Sequence, residues 1–429
     1  MFKKILGTSA TRILHALANL FMLWMATNYM AKESWGLSGI ILLDISLILL
    51  FADMGGNALV FYSSRRKIFS LLKWSSIWLV FIILLTSSIF LFLSFSPKLF
   101  YLIVPEGYAV HILLLVLLNS LNGFALNILL GKEKLKAFNL LFTLQFVLMI
   151  TVMAINIFWF DISDERSFVI ALYISFSISA ILSNILVINL AIKEESQAST
   201  SLKELLIYGI ITQFSSITHL LNKRLGFYFI KNISGLGALG IYHSGAQVTE
   251  GLRLIGQSIA LVQMSAISNT NDSGYAKIIT LQLLKVSVLI TLIGVITLSI
   301  LPSEFFTYVF SKDYGDIKTV IIFLGPGVVA LAANAVFSHY FSGTGVPRYN
   351  LYASLIGFVV TLPTVYFLVP TYGIIGAAVS SSLAYFAAVI YQWIIFKQIN
   401  NLTFFDLLIT RSDLILFKLL FKQFITNRK

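Results

Sequence analysis

The sequence predicts an all-α polytopic membrane protein with twelve transmembrane helices in two parallel six-helix bundles around a central cavity. Composition is the first observation behind this prediction: of 429 residues, 58% are apolar or aromatic and only 11% are charged, whereas an ordinary soluble domain carries roughly 25% charge. Length is the second, because a span with its joint needs about 36 residues, which leaves room for roughly 12 spans. A soluble globular fold is therefore excluded.

Each predicted span is an apolar run bounded by charged residues. The first six runs cover residues 9–30, 37–59, 75–95, 109–130, 137–160 and 168–190, and the second six cover 204–229, 238–263, 281–301, 318–342, 349–369 and 373–396. A polar stretch separates the two sets. We therefore expect one bundle at 1–190, a second bundle at 203–397, and a separate cytoplasmic tail at 398–429.

The N-terminal run has some features of a signal peptide, including small residues at 16–18. However, Arg12 and His15 interrupt its apolar core, and the apolar stretch continues to about residue 30. Because this length is enough to cross a bilayer, we expect a retained first helix.

Lysines and arginines predict the orientation of the chain. With the N-terminus inside, nineteen cations of the loops and tails fall on the cytoplasmic side, and the outside collects only Lys32, Lys98, Arg166, Lys231, Lys312 and Lys318. Cytoplasmic loops carry the excess of positive charge in membrane proteins. We therefore expect both termini in the cytoplasm and short outer loops, the longest at about 302–317.

The basic tail has a pattern of its own. Arg411, Lys418 and Lys422 recur at i, i+7 and i+11, opposite leucines and phenylalanines. Such an amphipathic face predicts a helix lying on an anionic inner leaflet. A frayed tail is the alternative.

Two short segments of the first half recur in the second half. Residues 35–39, which begin with Trp35, resemble residues 239–245 at an offset of about 204, and residues 131–139 resemble residues 343–350 at an offset of about 211. Because six spans precede the second copy, both copies start on the same side of the membrane. This predicts a parallel repeat, which is typical of transporters whose substrate site lies between the halves.

Charged side chains within the apolar spans are the candidate functional residues, because each costs on the order of 2.5 to 3.5 kcal/mol to insert. Together with nearby polar residues, they form three polar stripes. The stripe of the first span is Arg12, His15 and Asn19, and that of the seventh span is Thr212, Ser216, His219 and Lys223, with Arg224 beside it. The stripe of the eighth span is His243, Gln247, Glu250 and Gln257, with Arg253 one turn from Glu250. The first and seventh spans are repeat mates. We therefore expect both halves to present cationic faces to a shared cavity that binds substrate.

These cations also have a purely structural interpretation. Arg12 and Lys285 lie near cytoplasmic helix ends, and Lys223 and Arg224 lie near an outer end. Long basic side chains at such positions extend their charged heads to the interface.

The acids of the spans are candidate charge partners or coupling groups. Asp44 and Asp53 are nine residues apart, on roughly opposite faces of a helix, so a straight helix cannot bring both to one cavity. Asp53 alternatively shapes a helix end. Glu250 alternatively forms a local i, i+3 pair with Arg253.

Small and helix-breaking residues mark further positions. Asn119, Gly123 and Asn127 share one face and predict close helix packing with hydrogen bonds, or else a polar cavity wall. Residues 325–327, Gly-Pro-Gly, and Pro363 predict structural kinks or hinges.

The sequence offers no residues for enzyme chemistry. It contains no cysteine, and its five histidines show no metal-ligand spacing. It also lacks a Ser/His/Asp constellation, a P-loop and a glycine-rich phosphate cradle. We expect no enzyme activity, no metal, no cofactor and no nucleic-acid partner.

Several segments in fixed order resemble a known family. They are Arg12, residues 35–38, residues 52–55 with Asp53, residues 221–225 with Lys223 and Arg224, residues 239–250, residues 343–348 and residues 370–378. Over about residues 3–415 the chain resembles the polysaccharide transporter family of the multidrug/oligosaccharidyl-lipid/polysaccharide exporter superfamily, specifically the Wzx-type O-antigen flippases. The resemblance implies a MATE-like fold in a bacterial inner membrane.

The resemblance also implies an activity. Its members flip undecaprenyl-diphosphate-linked oligosaccharide, an O-antigen or related repeat unit for lipopolysaccharide or other surface polysaccharide, from the cytoplasmic to the periplasmic leaflet. Membrane lipid and other polysaccharide assembly proteins are the further partners implied. The alternatives are a multidrug exporter of the same superfamily and a membrane glycan polymerase or ligase, although the latter tend to carry a large periplasmic loop that this sequence lacks.

Overall fold

The computed structural model describes residues 17–53, 56–63, 66–193, 198–252, 263, 267, 272–403 and 406. Within these residues the chain is helical, and the one β-type feature is an isolated bridge between Arg66 and Ala198. Arg12, His15, Thr212's side chain, Arg253, Gln257 and nearly all of the predicted interfacial tail lie outside the described residues.

The helices follow the predicted spans closely. They are α1 (17–29), α2 (Lys32–Ala52), α3 (Gly56–Tyr62), α4 (Ile68–Ser94), α5 (Pro97–Ile103), α6 (Ala109–Gly131), α7 (Leu135–Phe158), α8 (Glu165–Ile192), α9 (Leu202–Ile233), α10 (Gly235–Gly251), α11 (Ser273–Ile300), α12 (Ser303–Phe310), α13 (Ile317–Gly343) and α14 (Arg348–Asn400).

Eight helices of the described chain are long and apolar enough to cross a membrane: α2, α4, α6, α7, α8, α11, α13 and α14. The 53-residue α14 contains two helices joined at Gly373, whose φ of 56° and ψ of −127° are non-helical. It therefore accounts for both of the last predicted spans. Helix α9 overlaps the predicted seventh span, and α1 and α10 overlap the described parts of the predicted first and eighth spans. The chain is an all-α polytopic membrane protein.

Two features differ from the expected spans, and a third, the Gly-Pro-Gly segment, agrees with them. The predicted helix at 37–59 is two helices, because α2 ends at Ala52 and α3 begins at Gly56. Short helices α5 and α12 occupy segments expected to be outer loops. The Gly-Pro-Gly segment lies inside a continuous α13, so it does not end or divide that helix.

Side-chain oxygens cap the first turns of several helices. Asp164 accepts a bond from the Arg166 backbone N–H, and Ser201 accepts one from the Glu204 N–H. Asp272 accepts two, from Gly274 and Tyr275. These bonds satisfy backbone donors that have no partner within the helix, and so they fix where α8, α9 and α11 begin.

The chain forms two compact units. Unit 1 comprises residues 1–244 and 306–316, and unit 2 comprises residues 245–305 and 317–429. In unit 1, α6 packs against α2, α3, α4, α7 and α8, while α9 packs against α2 and α3. In unit 2, α13 packs against α11 and α14. The duplication at 1–190 and 203–397 stays a prediction about origin, since these units describe packing.

A hydrogen-bonded asparagine joins neighbouring helices in each unit. In unit 1, Asn122 donates to Gln145 Oε1 at 2.8 Å and accepts from the Ser183 hydroxyl at 2.9 Å, which joins α6 to α7 and α8. In unit 2, Asn334 donates to Gln392 Oε1 at 2.9 Å. Asn122 and Asn334 are 334 − 122 = 212 residues apart, close to the repeat offset of about 211 found in the sequence.

Gln392 extends the network of unit 2. It donates to Ser338 Oγ at 3.1 Å and to Asn350 Oδ1 at 3.3 Å. Because Gln392 is fully buried, these bonds satisfy an amide that would otherwise be costly in an apolar interior.

The glycines of α13 provide close approach to other helices. A Cβ on Gly327 would lie 2.5 Å from Ser382 Oγ, and a Cβ on Gly325 would lie 2.5 Å from Val295 Cγ1. Ser382 donates to the Phe323 carbonyl at 2.8 Å, next to the turn where Pro326 removes a backbone donor. The segment therefore serves packing between helices of unit 2.

Candidate functional site

The predicted polar stripe of the seventh span lies on one uninterrupted helix, α9. Ser216 is exposed, and His219, Lys223 and Arg224 are half-buried. The Arg224 guanidinium lies 4.9 Å from the centroid of the Phe227 ring, a cation–π geometry that holds the charge against an apolar surface. The stripe thus places two adjacent cations on a helix that packs among the apolar helices of unit 1.

Asp44 is buried in α2, with 4% of the residue exposed. Its Oδ1 accepts a hydrogen bond from the Tyr228 hydroxyl of α9 at 2.5 Å, and the Lys231 ammonium acts on it electrostatically. The sequence marked Asp44 as a charge partner but did not indicate Tyr228. No spacing rule connects two residues 184 positions apart.

Lys231, expected in an outer loop, is the last basic residue of α9. Its Nζ donates to the Tyr101 carbonyl at 2.8 Å, and Asn232 Nδ2 donates to the Leu102 carbonyl at 3.1 Å. Both carbonyls belong to the final turn of α5, where a helix has unsatisfied acceptors and partial negative charge. These bonds tie the end of α9 to α5.

Asp53 stands at the interruption between α2 and α3. Its backbone carbonyl accepts from Gln213 Nε2 of α9 at 2.8 Å, while its carboxylate lies beside α6, within 3.6 Å of the position that a Cβ on Gly123 would occupy. The carboxylate of Asp44 therefore contacts α9, and that of Asp53 lies beside α6. Side chains nine residues apart on a helix are expected to lie on roughly opposite faces, as these two do.

Helices α2 and α10 cross at two glycines, Gly36 and Gly240. A Cβ on Gly36 would overlap the Leu236 carbonyl oxygen and lie 2.9 Å from Gly240 N, and a Cβ on Gly240 would overlap the Lys32 carbonyl oxygen and lie 3.3 Å from Gly36 N. The contact is reciprocal, and its two members are the segments that the sequence matched at an offset of 204.

His243 fills the same crossing one turn further on. Its ring lies 5.2 Å from that of Trp35 and 5.4 Å from that of Phe227, and it would contact a Cβ on Gly39 at 3.2 Å. The residue was expected to belong to the polar stripe of the eighth span. In the structure it is buried among aromatic rings, which is a packing position.

The remaining predicted site residues are distributed over both units. Asn19 is half-buried on α1 in unit 1, and Gln247 and Glu250 are half-buried on α10 in unit 2. Unit 1 contains the stripe of α9 together with Asp44 and Asp53, and the contacts of these two acids with α9 are made by Tyr228 and Gln213. The shared cavity between the halves stays a prediction.

The N-terminal ends of α6 and α8 carry a charged cluster. Arg166 donates to Asp164 Oδ2 from Nε at 2.8 Å and from Nη2 at 2.6 Å, and these bonds hold the pKa of Asp164 below its usual value. The Tyr108 hydroxyl donates to Glu165 Oε1 at 3.0 Å. This cluster fixes two helix ends and lies apart from the stripe of α9.

In the part of the chain that the structure describes, no three or more His, Asp or Glu side chains converge to hold a metal ion. The polar groups of α2 and α9 are instead suited to binding by hydrogen bonds and single charges.

Comparison with known sequences finds relatives that match only part of this chain. No family model matches the chain. A capsular polysaccharide biosynthesis protein, CapF, of Staphylococcus aureus is 25% identical over 201 residues, which are 46% of this chain and 50% of that protein. An uncharacterized membrane protein of Methanocaldococcus jannaschii is 27% identical over 206 residues, 47% of this chain and 40% of that protein. The chain thus matches half or less of each relative's length.

Comparison with solved structures covers nearly the whole chain. The lipid II flippase MurJ in an inward closed conformation aligns with a TM-score of 0.68 at 16% identity, over 99% of this chain and 93% of MurJ. An inward-facing multidrug resistance MATE transporter of the MOP superfamily aligns with a TM-score of 0.58 at 15% identity, over 90% of this chain and 99% of the transporter. The chain is therefore a multi-pass membrane protein with the MATE-like fold that MurJ and the MATE transporters share.

Proposed function

We propose that the protein flips an undecaprenyl-diphosphate-linked oligosaccharide from the cytoplasmic to the periplasmic leaflet of a bacterial inner membrane. The observation that carries this proposal is the polar face of α9, where Lys223 and Arg224 stand side by side within an apolar bundle. A diphosphate needs cationic partners, and charge-assisted bonds from lysine and arginine supply them. The relatives are compatible with this substrate class, since one is a lipid flippase and another belongs to capsular polysaccharide biosynthesis.

We assign the remaining site residues roles according to the chemistry of their side chains. Arg12 and Arg253 add charge for the diphosphate, while His15, Asn19, Ser216, His219 and Gln247 offer hydroxyl, amide and imidazole groups to sugars. Asp44, Asp53 and Glu250 balance the cations or couple transport to ions. The prenyl chain stays in lipid, and rocking of the two halves carries the headgroup across.

A multidrug exporter is the second candidate, because several of the structural neighbours are MATE transporters. A cavity for organic cations normally favours acidic side chains that attract them. The candidate residues of this chain comprise five in-span cations, Arg12, Lys223, Arg224, Arg253 and Lys285, against three acids, which favours an anionic headgroup.

Deletion of the gene tests the proposal. Lipid-linked glycans are extracted, and right-side-out and inverted vesicles report which leaflet displays them. We expect single repeat units trapped on the cytoplasmic face and loss of surface polysaccharide. Unpolymerised units on the periplasmic face would instead indicate a polymerase or ligase, and an unchanged glycan profile with altered drug sensitivity would indicate the multidrug exporter.

A variant pair tests the site itself. Neutralising Arg12 and Arg224 together is expected to abolish export at normal protein levels. Arg166→Gln is the matched control, because that arginine is exposed and paired with Asp164 at a helix end. Export retained by the double variant contradicts the assignment of the cationic site.

A further inference from the structure

Residues 306–316 pack with unit 1, although the chain on either side of them belongs to unit 2. The segment comprises most of α12 and a single 3₁₀ turn at Lys312–Tyr314, and we call it the strap. It has no linker at either end, because Phe305 before it and Ile317 after it already belong to unit 2. If the two units move relative to each other, the strap must therefore either deform or leave unit 1.

Three aromatic side chains and one hydrogen bond hold the strap on unit 1. Phe306, Phe310 and Tyr314 are 1%, 7% and 1% exposed. Asn28 of α1 donates from Nδ2 to the Val309 carbonyl at 2.9 Å. The strap is thus anchored near both of its ends, with two phenylalanines in its first half and one tyrosine in its second.

Between these anchors, Ser311 adopts a backbone conformation that is unfavourable for serine. Its φ of 82° and ψ of 157° fall in a region that essentially only glycine occupies. Such conformations persist only where the surrounding structure imposes them, and they cluster in clamps and switch regions. The buried anchors on either side of Ser311 impose it here, so the strap is strained while it is docked.

Tyr314 carries a second, independent penalty. Its hydroxyl is buried and has no hydrogen-bond partner among the described residues. A buried donor that is left unpaired costs the desolvation of that group. Release of the strap would return the hydroxyl to water, so this penalty, like the strain at Ser311, disfavours the docked state.

We propose that the strap is a two-state element, which is docked on unit 1 in this structure and is released as one piece when the two units move relative to each other. The aromatic anchors favour docking, whereas the strained serine and the unpaired hydroxyl oppose it. Opposing contributions of this kind keep the free-energy gap between two states small, so that a ligand can shift their populations. Reversible docking does not depend on what is transported, although its role as a gate in transport rests on the proposed flippase function.

Spin labels measure the docked fraction directly. Because the chain contains no cysteine, nitroxides can be attached at two introduced positions alone. Tyr308→Cys on the strap and Trp159→Cys at the end of α7 are suitable, since these residues are 89% and 82% exposed. Double electron–electron resonance of the labelled full-length chain in nanodiscs gives the distribution of distances. We expect two populations, one at the distance of the docked strap and a second, broader one for the released strap.

Removal of either penalty should favour docking. Ser311→Gly relieves the strain and Tyr314→Phe removes the unpaired hydroxyl, so each is expected to raise the ratio of docked to released strap by about threefold or more. Ser311→Val should lower the ratio by a similar factor, because a β-branched residue tolerates this conformation even less than serine does. Lys312→Gln is the matched control, since that side chain is exposed beside Ser311, and it should leave the ratio unchanged.

Either of two results overturns the proposal: a single distance population in both the unsubstituted background and Ser311→Val, or a ratio that Ser311→Gly and Tyr314→Phe leave unchanged. The last two variants each relieve a penalty, so they should fold at least as well as the background and keep the test decisive. If the ratio responds as expected but the deletion strain still displays lipid-linked glycans normally, the strap stands and the flippase function fails.

Discussion

The glycine crossing between α2 and α10 makes a quantitative prediction. Alanine at Gly36 places a Cβ 2.9 Å from Gly240 N and in overlap with the Leu236 carbonyl oxygen. Favourable separations between non-bonded atoms are about 3.5–4.0 Å, so the two helices must part by more than about 0.5 Å. Both obstructing atoms belong to backbone, which cannot rotate away.

Overpacking of this kind costs about 1–3 kcal/mol. The gain in helix propensity from glycine to alanine, about 0.5–1 kcal/mol, offsets part of it. We expect Gly36→Ala and Gly240→Ala each to lower the free energy of unfolding by about 1–2 kcal/mol, and the double variant to cost less than the sum, because one separation of the helices relieves both contacts.

Thermal unfolding of the purified variants, followed by tryptophan fluorescence, measures the effect. Gly251→Ala is the control on the same helix, since a Cβ there meets no described residue within 4 Å. If Gly36→Ala and Gly240→Ala are as stable as Gly251→Ala, or if their effects are strictly additive, the close reciprocal crossing is refuted.

Three more variants test individual bonds by equilibrium or thermal unfolding. Tyr228→Phe should destabilise by about 1–3 kcal/mol because it leaves Asp44 buried without its donor, and a neutral result would argue against the bond. Gln392→Leu should cost at least about 2 kcal/mol because Asn334, Ser338 and Asn350 lose their hydrogen bonds to Gln392; a cost below about 0.5 kcal/mol relative to the wild type would contradict the network. Asp164→Ala should cost about 1 kcal/mol through the lost cap. Arg166 holds the pKa of Asp164 in the folded protein below its usual value of 3.8. The stabilisation is therefore present above pH 3.8 and is lost as the pH falls through the lower folded pKa. If the stability of Asp164→Ala follows pH as the wild type does in this range, the stabilisation is refuted.

Hydropathy predicted the spans well because their burial in lipid demands long apolar runs. The predicted helix at 109–130 is Ala109–Gly131, and that at 318–342 is Ile317–Gly343. The short helices α5 and α12 were missed because seven or eight residues between spans give no periodic pattern of their own. A helix end at Asp53 was expected only as an alternative, because the apolar run continues on both sides of that residue; in the structure Asp53 is the C-cap of α2.

The candidate site was less accessible to sequence reasoning. Spacing identified the stripe of α9 and separated the faces of the two acids of α2, since both follow from helical periodicity. It did not identify Tyr228, whose partnership with Asp44 depends on how α2 and α9 pack. The asparagine stripe had a similar limit: packing with hydrogen bonds was expected at Asn119 and Asn127, while the buried network forms at Asn122, on a neighbouring face of α6.

Unit 1 is built from two segments that are far apart in the sequence, which affects the order in which the chain folds during synthesis. Its last segment, residues 306–316, contributes the buried Phe306, Phe310 and Tyr314, and Asn28 Nδ2 donates to the Val309 carbonyl at 2.9 Å. This segment is translated 316 − 244 = 72 residues after the rest of the unit. At about 5–20 residues per second, the ribosome supplies it roughly 4–14 s later. During this interval, the surface of unit 1 that residues 306–316 later cover is exposed. An insertion chaperone could bind and protect that surface until the segment is synthesised.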